Sequence, residues 1–247
     1  MPLVLSPKEQ SQAASAGKDA YPSLGQVKNN SIIVDEFTRA DLNPTNAVAY
    51  YTTAATGAGT ATLVANERLE LVTTGVIGDD VDVRLTNLTF QRTPRDFSFI
   101  DSRSQLIFNI VFAAVEATAT EVFIGIINAT AASTGLPATA RHLGIQLDQS
   151  VSNNWFLTSA DGTTQTTTNT GIAVSAGVRV RLRMVWNGDE SATLELYTGT
   201  LLDTLASTQT VTALVGAANS FQLHFFIQTE ALAAKTLRVT DWRVDVT

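Results

Sequence analysis

The sequence predicts an all-β protein: an antiparallel two-sheet sandwich over residues 31–247, preceded by an extended arm over residues 1–30. Three observations predict it. From Ser31 onward apolar residues recur with period two, the spacing that sends side chains to alternate faces of a strand. Turn signals such as Gly57-Ala58-Gly59, Gly78-Asp79-Asp80, Asp161-Gly162 and Asn187-Gly188 punctuate the apolar runs. No long helical pattern follows the arm, and many short strands in succession make one large sandwich.

The arm differs from the body in composition. It is rich in Ser, Ala, Gln and Lys, with Pro at positions 2, 7 and 22. Ser6-Pro7-Lys8-Glu9 has the form of a helix start: a Ser cap, Pro in the first turn and Glu three residues after the cap. A short helix is expected from there to Ala16, where Gly17 stops it. That helix has no apolar stripe to bury. The arm reads as a solvated leader or as a segment that orders on a neighbouring subunit.

In the body, strands are expected over 31–36, 47–54, 60–64, 67–74, 81–91, 104–116, 120–128, 140–148, 153–159 and 164–170. Others follow over 178–186, 192–197, 201–209, 221–228 and 235–246. The 178–186 strand is the plainest: Val178, Val180, Leu182, Met184 and Trp186 face one way, and Arg179, Arg181 and Arg183 the other. Asn187-Gly188 then turns the chain into a return strand carrying Leu194, Glu195 and Tyr197. Two strands break the alternation. Residues 106–115 and 122–127 are apolar on both faces, so a loop, a third layer or another subunit must cover one side. Ile107 and Ile124 are the subunit-contact candidates on these strands.

Composition excludes several chemistries. The chain of 247 residues has no Cys, which removes disulfides, Cys-ligated zinc and thiol nucleophiles. Two His, His142 and His224, are too few for a His-rich metal site, and neither adjoins a nucleophile motif. Formal charge is −7. Three of the four Lys, Lys8, Lys18 and Lys28, lie in the arm, where only Glu9 and Asp19 oppose them. The body is correspondingly acidic, which argues against nucleic acid. No window reaches a membrane span, and the first residues lack the basic flank and apolar run of a signal peptide, so cytoplasmic synthesis is expected.

Sugar chemistry is tested by its carboxylates. Retaining glycosidases hold two carboxyls about 5 Å apart. On one strand that needs acids two or four residues apart, and no Glu-x-Asp-x-Glu run occurs. Asp80 and Asp82 share a face without a following Glu, and Asp241, Arg243 and Asp245 read as a surface charge ladder. The Arg179, Arg181, Arg183 stripe reads either as cross-strand pairing with Glu195 and neighbouring acids or as a site for an acidic partner. Asn153, Asn154, Trp155 and Asp161 are candidate glycan contacts: an indole to stack on, with amide and carboxylate groups for hydroxyls. Trp155 shares its face with Leu157, so core packing competes with that reading. No cofactor and no metal are expected.

The residues also carry a resemblance. Asp35-Glu36-Phe37 near the first strand and Asp241-Trp242-Arg243-Val244-Asp245 in the last resemble the concanavalin A-like lectin/glucanase sandwich of laminin-G-like type. Leu143–Asp148, Asn154-Trp155-Phe156-Leu157, Asp161-Gly162, Asn169-Thr170-Gly171-Ile172 and Leu194-Glu195-Leu196-Tyr197 extend it over most of the chain. The resemblance implies a concanavalin A-like jelly roll. The family contains glycosidases, lectins, adhesion modules and bacteriophage structural proteins. Without the glucanase acid motif, the resemblance implies a non-enzymatic virion protein. A capsid decoration (cement) protein is the first expectation, and a glycan-binding adhesin on a phage tail, fibre or cell surface is the alternative. Its partners would be a major capsid or other virion protein, copies of itself as a dimer or trimer, and in the alternative a glycan. The arm's Lys8, Lys18 and Lys28 would be contacts.

An arm without an apolar face should be disordered in the free protein and ordered in its assembly. Trypsin should therefore cut the free protein at Lys18 and Lys28 well before it cuts the body; equal resistance of arm and body would refute the expectation.

Overall fold

The computed structural model describes residues 32–35, 51–64, 68–85, 90–91, 105–128, 135–138, 140–187, 191–212 and 220–246. The helix expected from Ser6 and the contacts expected of Lys8, Lys18 and Lys28 lie outside the described residues.

Among the described residues sixteen strands form two antiparallel sheets of eight. The back sheet holds β1 (Ile32–Asp35), β3 (Thr60–Val64), β4 (Arg68–Val72) and β7 (Leu106–Ala114). It continues with β12 (Val180–Trp186), β13 (Ala192–Thr198), β14 (Thr204–Val211) and β16 (Thr236–Val246). Its order is β14-β13-β12-β7-β16-β4-β3, with β1 paired to β16. The front sheet holds β2 (Tyr51–Thr56), β5 (Asp80–Leu85), β6 (Phe90–Gln91) and β8 (Thr120–Asn128). It continues with β9 (His142–Asp148), β10 (Asn154–Ala160), β11 (Gln165–Ala173) and β15 (Ser220–Thr229). Its order is β11-β10-β9-β8-β15-β5-β2, with β6 paired to β15. This is the expected all-β sandwich of jelly-roll type. Among the described residues no helix is long and apolar enough to cross a membrane.

Alternation builds the core. Phe108, Ile110 and Phe112 of β7, Leu182 and Met184 of β12, and Trp242 and Val244 of β16 face the front sheet. Val122, Ile124 and Ile126 of β8, Leu143, Ile145 and Leu147 of β9, and Leu223, Phe225 and Ile227 of β15 face back. Trp155 of β10 stands edge-on to Phe112, ring centroids 5.3 Å apart, and so spans the two layers. At the β11–β14 edge, buried Gln209 ties the sheets by donating to Ser159 Oγ at 3.1 Å. Several strand boundaries moved. The strand expected from 178 begins at Val180, which leaves Val178 exposed instead of on the apolar face. The run expected over 201–209 begins only at β14, because Leu202 takes a positive φ of 56° and closes a turn on Gly199. The single strand expected over 81–91 is two, β5 and β6, with 86–89 outside the described residues.

The double-faced strands are covered in different ways. On β8 the outward Phe123 and Ile127 join Phe226 in a second buried cluster, closed by Leu136 and Ala140 of the chain's own β8–β9 connection. Ile124 faces the main core and is wholly buried, so it is removed as a surface contact. On β7 the register sets Val111 between Arg181 and Asp241, and the long Arg stem shelters it. Only Ile107, half-buried on the outer face of β7, keeps a position from which it could touch another subunit.

The second cluster depends on two glycines. Gly125 of β8 and Gly144 of β9 are cross-strand partners beneath the Phe123 ring. A Cβ on Gly125 would overlap the Leu143 carbonyl and stand 2.6 Å from Gly144 Cα. Gly125→Ala should therefore destabilise the fold by about 3 kcal/mol, the upper range for overpacking. Urea unfolding measures it; an unchanged midpoint would show that the two strands can part without cost.

Candidate functional site

Strand register gathers seven connections at one end of the sandwich, here the upper end: 57–59, 73–79, 115–119, 149–153, 174–179, 199–203 and 230–235. These loops are stitched together by their backbones. Thr73 N–H donates to the Lys235 carbonyl at 2.9 Å, Gly78 N–H to Thr229 at 2.9 Å, and Glu230 N–H to Ala119 at 3.0 Å. Ala119 holds a positive φ of 49°, a strained setting for a residue with a Cβ, at the turn into β8.

Between these loops and the outer face of the front sheet lies an open cleft of about 570 Å³. Ile77, Gly78, Gln149, Ser150, Gln228 and Glu230 line it, with Glu121 among them. The register explains why acids converge there. Glu121, the second residue of β8, faces Asp148 on β9 and Gln228 on β15, and Glu230 follows β15 by one residue. The carboxylate oxygens of Glu121, Asp148 and Glu230 lie within 4.8 Å of one another, all half-buried. Asp148 is held from behind: its Oδ1 accepts from Ser150 N–H at 3.0 Å and Ser150 Oγ at 2.6 Å. Gln149 Oε1 accepts from Thr120 N–H at 3.0 Å, and Gln228 Nε2 donates to the Gly78 carbonyl at 3.0 Å.

Burial first, then the charges of Glu230 and Asp148, push the Glu121 carboxyl up to about pH 7. Glu121 therefore holds a proton close to neutrality. Its chemistry is that of an acceptor cluster: it can take a proton, sugar hydroxyls, an ammonium group or the oxygen coordination of a hard divalent cation.

The sequence-based glycan candidates do not converge. Trp155 is 2% exposed and packed in the core, so it offers no platform to a sugar. Asn153 Oδ1 is taken by Gln149 Nε2 at 2.7 Å, and Asn154 Nδ2 donates to Asn169 Oδ1 at 3.0 Å. Asp161 lies at the far end of β10, about 20 Å away at the usual strand rise, accepting from Thr163 N–H and Thr164 N–H. The search for acids on one strand missed the trio because its members sit on neighbouring strands. A signal was present: an acid beginning one predicted strand and an acid ending the next meet when the two pair as a hairpin.

Several other charged groups pair within the fold. Arg183 Nη1 meets Glu195 Oε2 at 2.6 Å across the β12–β13 pair, and Arg181 stacks 4.2 Å over Tyr197. Arg243 and Asp245 pair at 2.7 Å, the expected ladder. Both histidines are buried on the outer face of the front sheet, covered rather than exposed to solvent. His142 Nδ1–H donates to the Ala140 carbonyl at 2.6 Å, which leaves Nε2 to accept from Thr158 Oγ1 at 2.9 Å. Burial lowers its pKa to about 4. His224 Nε2 lies 2.8 Å from Asp82 Oδ1, and Arg84 Nε reaches Asp82 Oδ2 at 3.2 Å. Burial lowers the His224 pKa as well, against the opposing pull of Asp82.

No protein-family model and no curated protein matches this sequence. Solved structures do match its fold. A protein of unknown function from Shewanella oneidensis MR-1 superposes over 100% of this chain and 96% of its own, at 14% identity and a TM-score of 0.62. The lectin UEA-II, solved with galactose, covers 88% of this chain and 98% of its own at 9% identity, TM-score 0.60. The carbohydrate recognition domain of Emp46p, in a metal-free form, covers 85% and 93% at 11% identity, TM-score 0.56. The fold is thus that of lectins and carbohydrate recognition domains.

Two opposed titrations follow. Unfolded, His142 binds a proton near pH 6.5; folded, it does so only near pH 4. Stability is therefore lost as pH falls through that window, by about 3 kcal/mol. Glu121 acts in reverse: folded, it keeps its proton to about pH 7, so stability is lost as pH rises from 4.5 through 7. Between pH 4.5 and 6.5 the two oppose each other, so chemical denaturation across pH 4 to 8 should show a shallow profile, and Glu121→Gln should unmask the full rise in stability with pH that His142 contributes.

Proposed function

We propose that this chain is a non-enzymatic, lectin-like carbohydrate-binding module whose ligand sits in the upper-end cleft. The observation that carries the reading is the pairing of a lectin sandwich with an open cleft lined by amides, a hydroxyl and carboxylates. These groups accept and donate to sugar hydroxyls without moving charge. Three carboxylates repel anionic sugars, so neutral and amino sugars are the favoured class.

A second reading, a bacteriophage capsid decoration protein, is favoured by a different feature. Large apolar side chains stand exposed on the upper-end loops, as protein-protein contacts require. In that reading the protein resides in the virion and its partner is a capsid subunit.

A glycan array with the full chain should show binding to neutral or amino sugars and little to sialylated ones. Glu121→Gln should weaken the best hit about tenfold, the loss of one charge-assisted hydrogen bond. An empty array, together with co-sedimentation on assembled capsids, would favour the second reading. Release of reducing ends abolished by Glu121→Gln would make the cleft an active site instead.

A further inference from the structure

Exposed apolar side chains are not scattered over this molecule. Among the described residues seven large ones are exposed. Six of them, Val76, Ile77, Val151, Val178, Leu201 and Leu232, stand on upper-end loops. The seventh, Leu205, is in β14 as it leaves that end. Leu232 is 80% exposed and Ile77 62%, although the loops that carry them are fixed by the backbone bonds described above. Ile77 borders the cleft, Val151 adjoins its Ser150 wall, and the Leu232 backbone abuts the loop of Val76 and Ile77 at Gly75. The upper end therefore sets exposed apolar side chains, here called the rim, beside the carboxylate cleft.

The chain itself contains a segment of matching chemistry. The body has one Lys, Lys235, whereas the arm has three. The arm opens Met1-Pro2-Leu3-Val4-Leu5-Ser6-Pro7-Lys8: three consecutive apolar side chains, then a cation. Its place of departure is set by β1. Ile32 pairs with Asp245, near the end of β16 that lies opposite the upper end, so β1 begins at the lower end. Folding back would take the arm some 30 Å along the body at the usual strand rise. The back sheet it would cross is already closed by the Arg183–Glu195, Arg243–Asp245 and Arg68–Glu70–Arg238 pairs. A neighbouring copy stacked lower end to upper end presents its rim directly.

We propose that the upper end receives the arm of a neighbouring copy, with Leu3, Val4 and Leu5 on Ile77, Val151 and Leu232 and the Lys8 ammonium among Glu121, Asp148 and Glu230. The contact is head to tail, so copies close into a small ring when the rotation permits and otherwise extend. A cation in the trio also offsets the repulsion from Glu230 and Asp148 that, after burial, raises the Glu121 pKa. This goes beyond the glycan reading and competes with it for the same cleft, so the array is also run with Leu3→Asp/Leu5→Asp, whose cleft is free: sugar binding there bears on the glycan reading alone, and self-association of wild type on the arm alone.

Complementation between full-length variants tests it by sedimentation velocity. Leu3→Asp/Leu5→Asp spoils the arm, and Ile77→Asp/Leu232→Asp spoils the rim at exposed positions, with thermal midpoints checking that both remain folded. Wild type should be oligomeric and each variant monomeric. Their equimolar mixture should recover one-to-one pairs, because the intact arm of one meets the intact rim of the other. Lys8→Glu should weaken self-association more than tenfold. A monomeric wild type, variants that still associate alone, or a mixture that stays monomeric would overturn the proposal. So would a monomer that binds zwitterionic vesicles through the same rim, which would assign the rim to a lipid surface.

Discussion

The pairing register of β9, β8 and β15 at the centre of the front sheet is the constraint on which the rest depends. Side chains on a strand alternate faces, so a slip of one residue would exchange the two faces entirely. In the observed register Val122, Ile124 and Ile126 stand beside Leu143, Ile145 and Leu147 on one side and Leu223, Phe225 and Ile227 on the other. The cost of exposing these side chains makes any slip prohibitive. That same register brings Glu121 opposite Asp148 and Gln228. The acidic cleft is thus a by-product of apolar packing on the opposite face: the core holds the carboxylates together against their own repulsion.

The outer face of the front sheet is divided along its length. Near the upper end it is polar and open. Towards the lower end it is closed by a miniature core of Phe123, Ile127 and Phe226, edged by His142 and His224. The Gly125–Gly144 pair makes room for the Phe123 ring, and the neutral tautomer of His142 satisfies both ring nitrogens without a charge. His224 is matched on one side only: Nε2 lies against Asp82, while Nδ1 is buried without a hydrogen-bond partner. On the back sheet Arg183–Glu195 and Arg238–Glu70 pair across neighbouring strands, and Arg243–Asp245 pairs along β16. What remains for recognition is the upper end, where carboxylates, amides and exposed apolar tips stand on rigid loops.

Much of this was legible in the sequence. The alternation of Val180, Leu182, Met184 and Trp186 against Arg181 and Arg183 specified both the strand and its two faces. The period-two runs placed nearly every strand, and the apolar excess of 122–127 announced that β8 is covered on both sides. Errors arose where an outcome turned on a partner distant in sequence. Trp155 offered an indole beside two Asn residues, and only the opposing Phe112 shows that it belongs to the core. Ile124 and Phe123 are both apolar, and which one faces the main core depends on register.

By itself, then, the sequence determined the class of fold, the order of its strands and the absence of thiol chemistry, because periodicity and composition are local properties. Tertiary structure alone decided which acids meet, which aromatic rings are covered and where the exposed apolar side chains collect. Glu121, Asp148 and Glu230 are separated by 27 and 82 residues along the chain, and no local pattern links them. Their proximity is set by strand pairing, and strand pairing is set by the burial of side chains on the other face of the sheet.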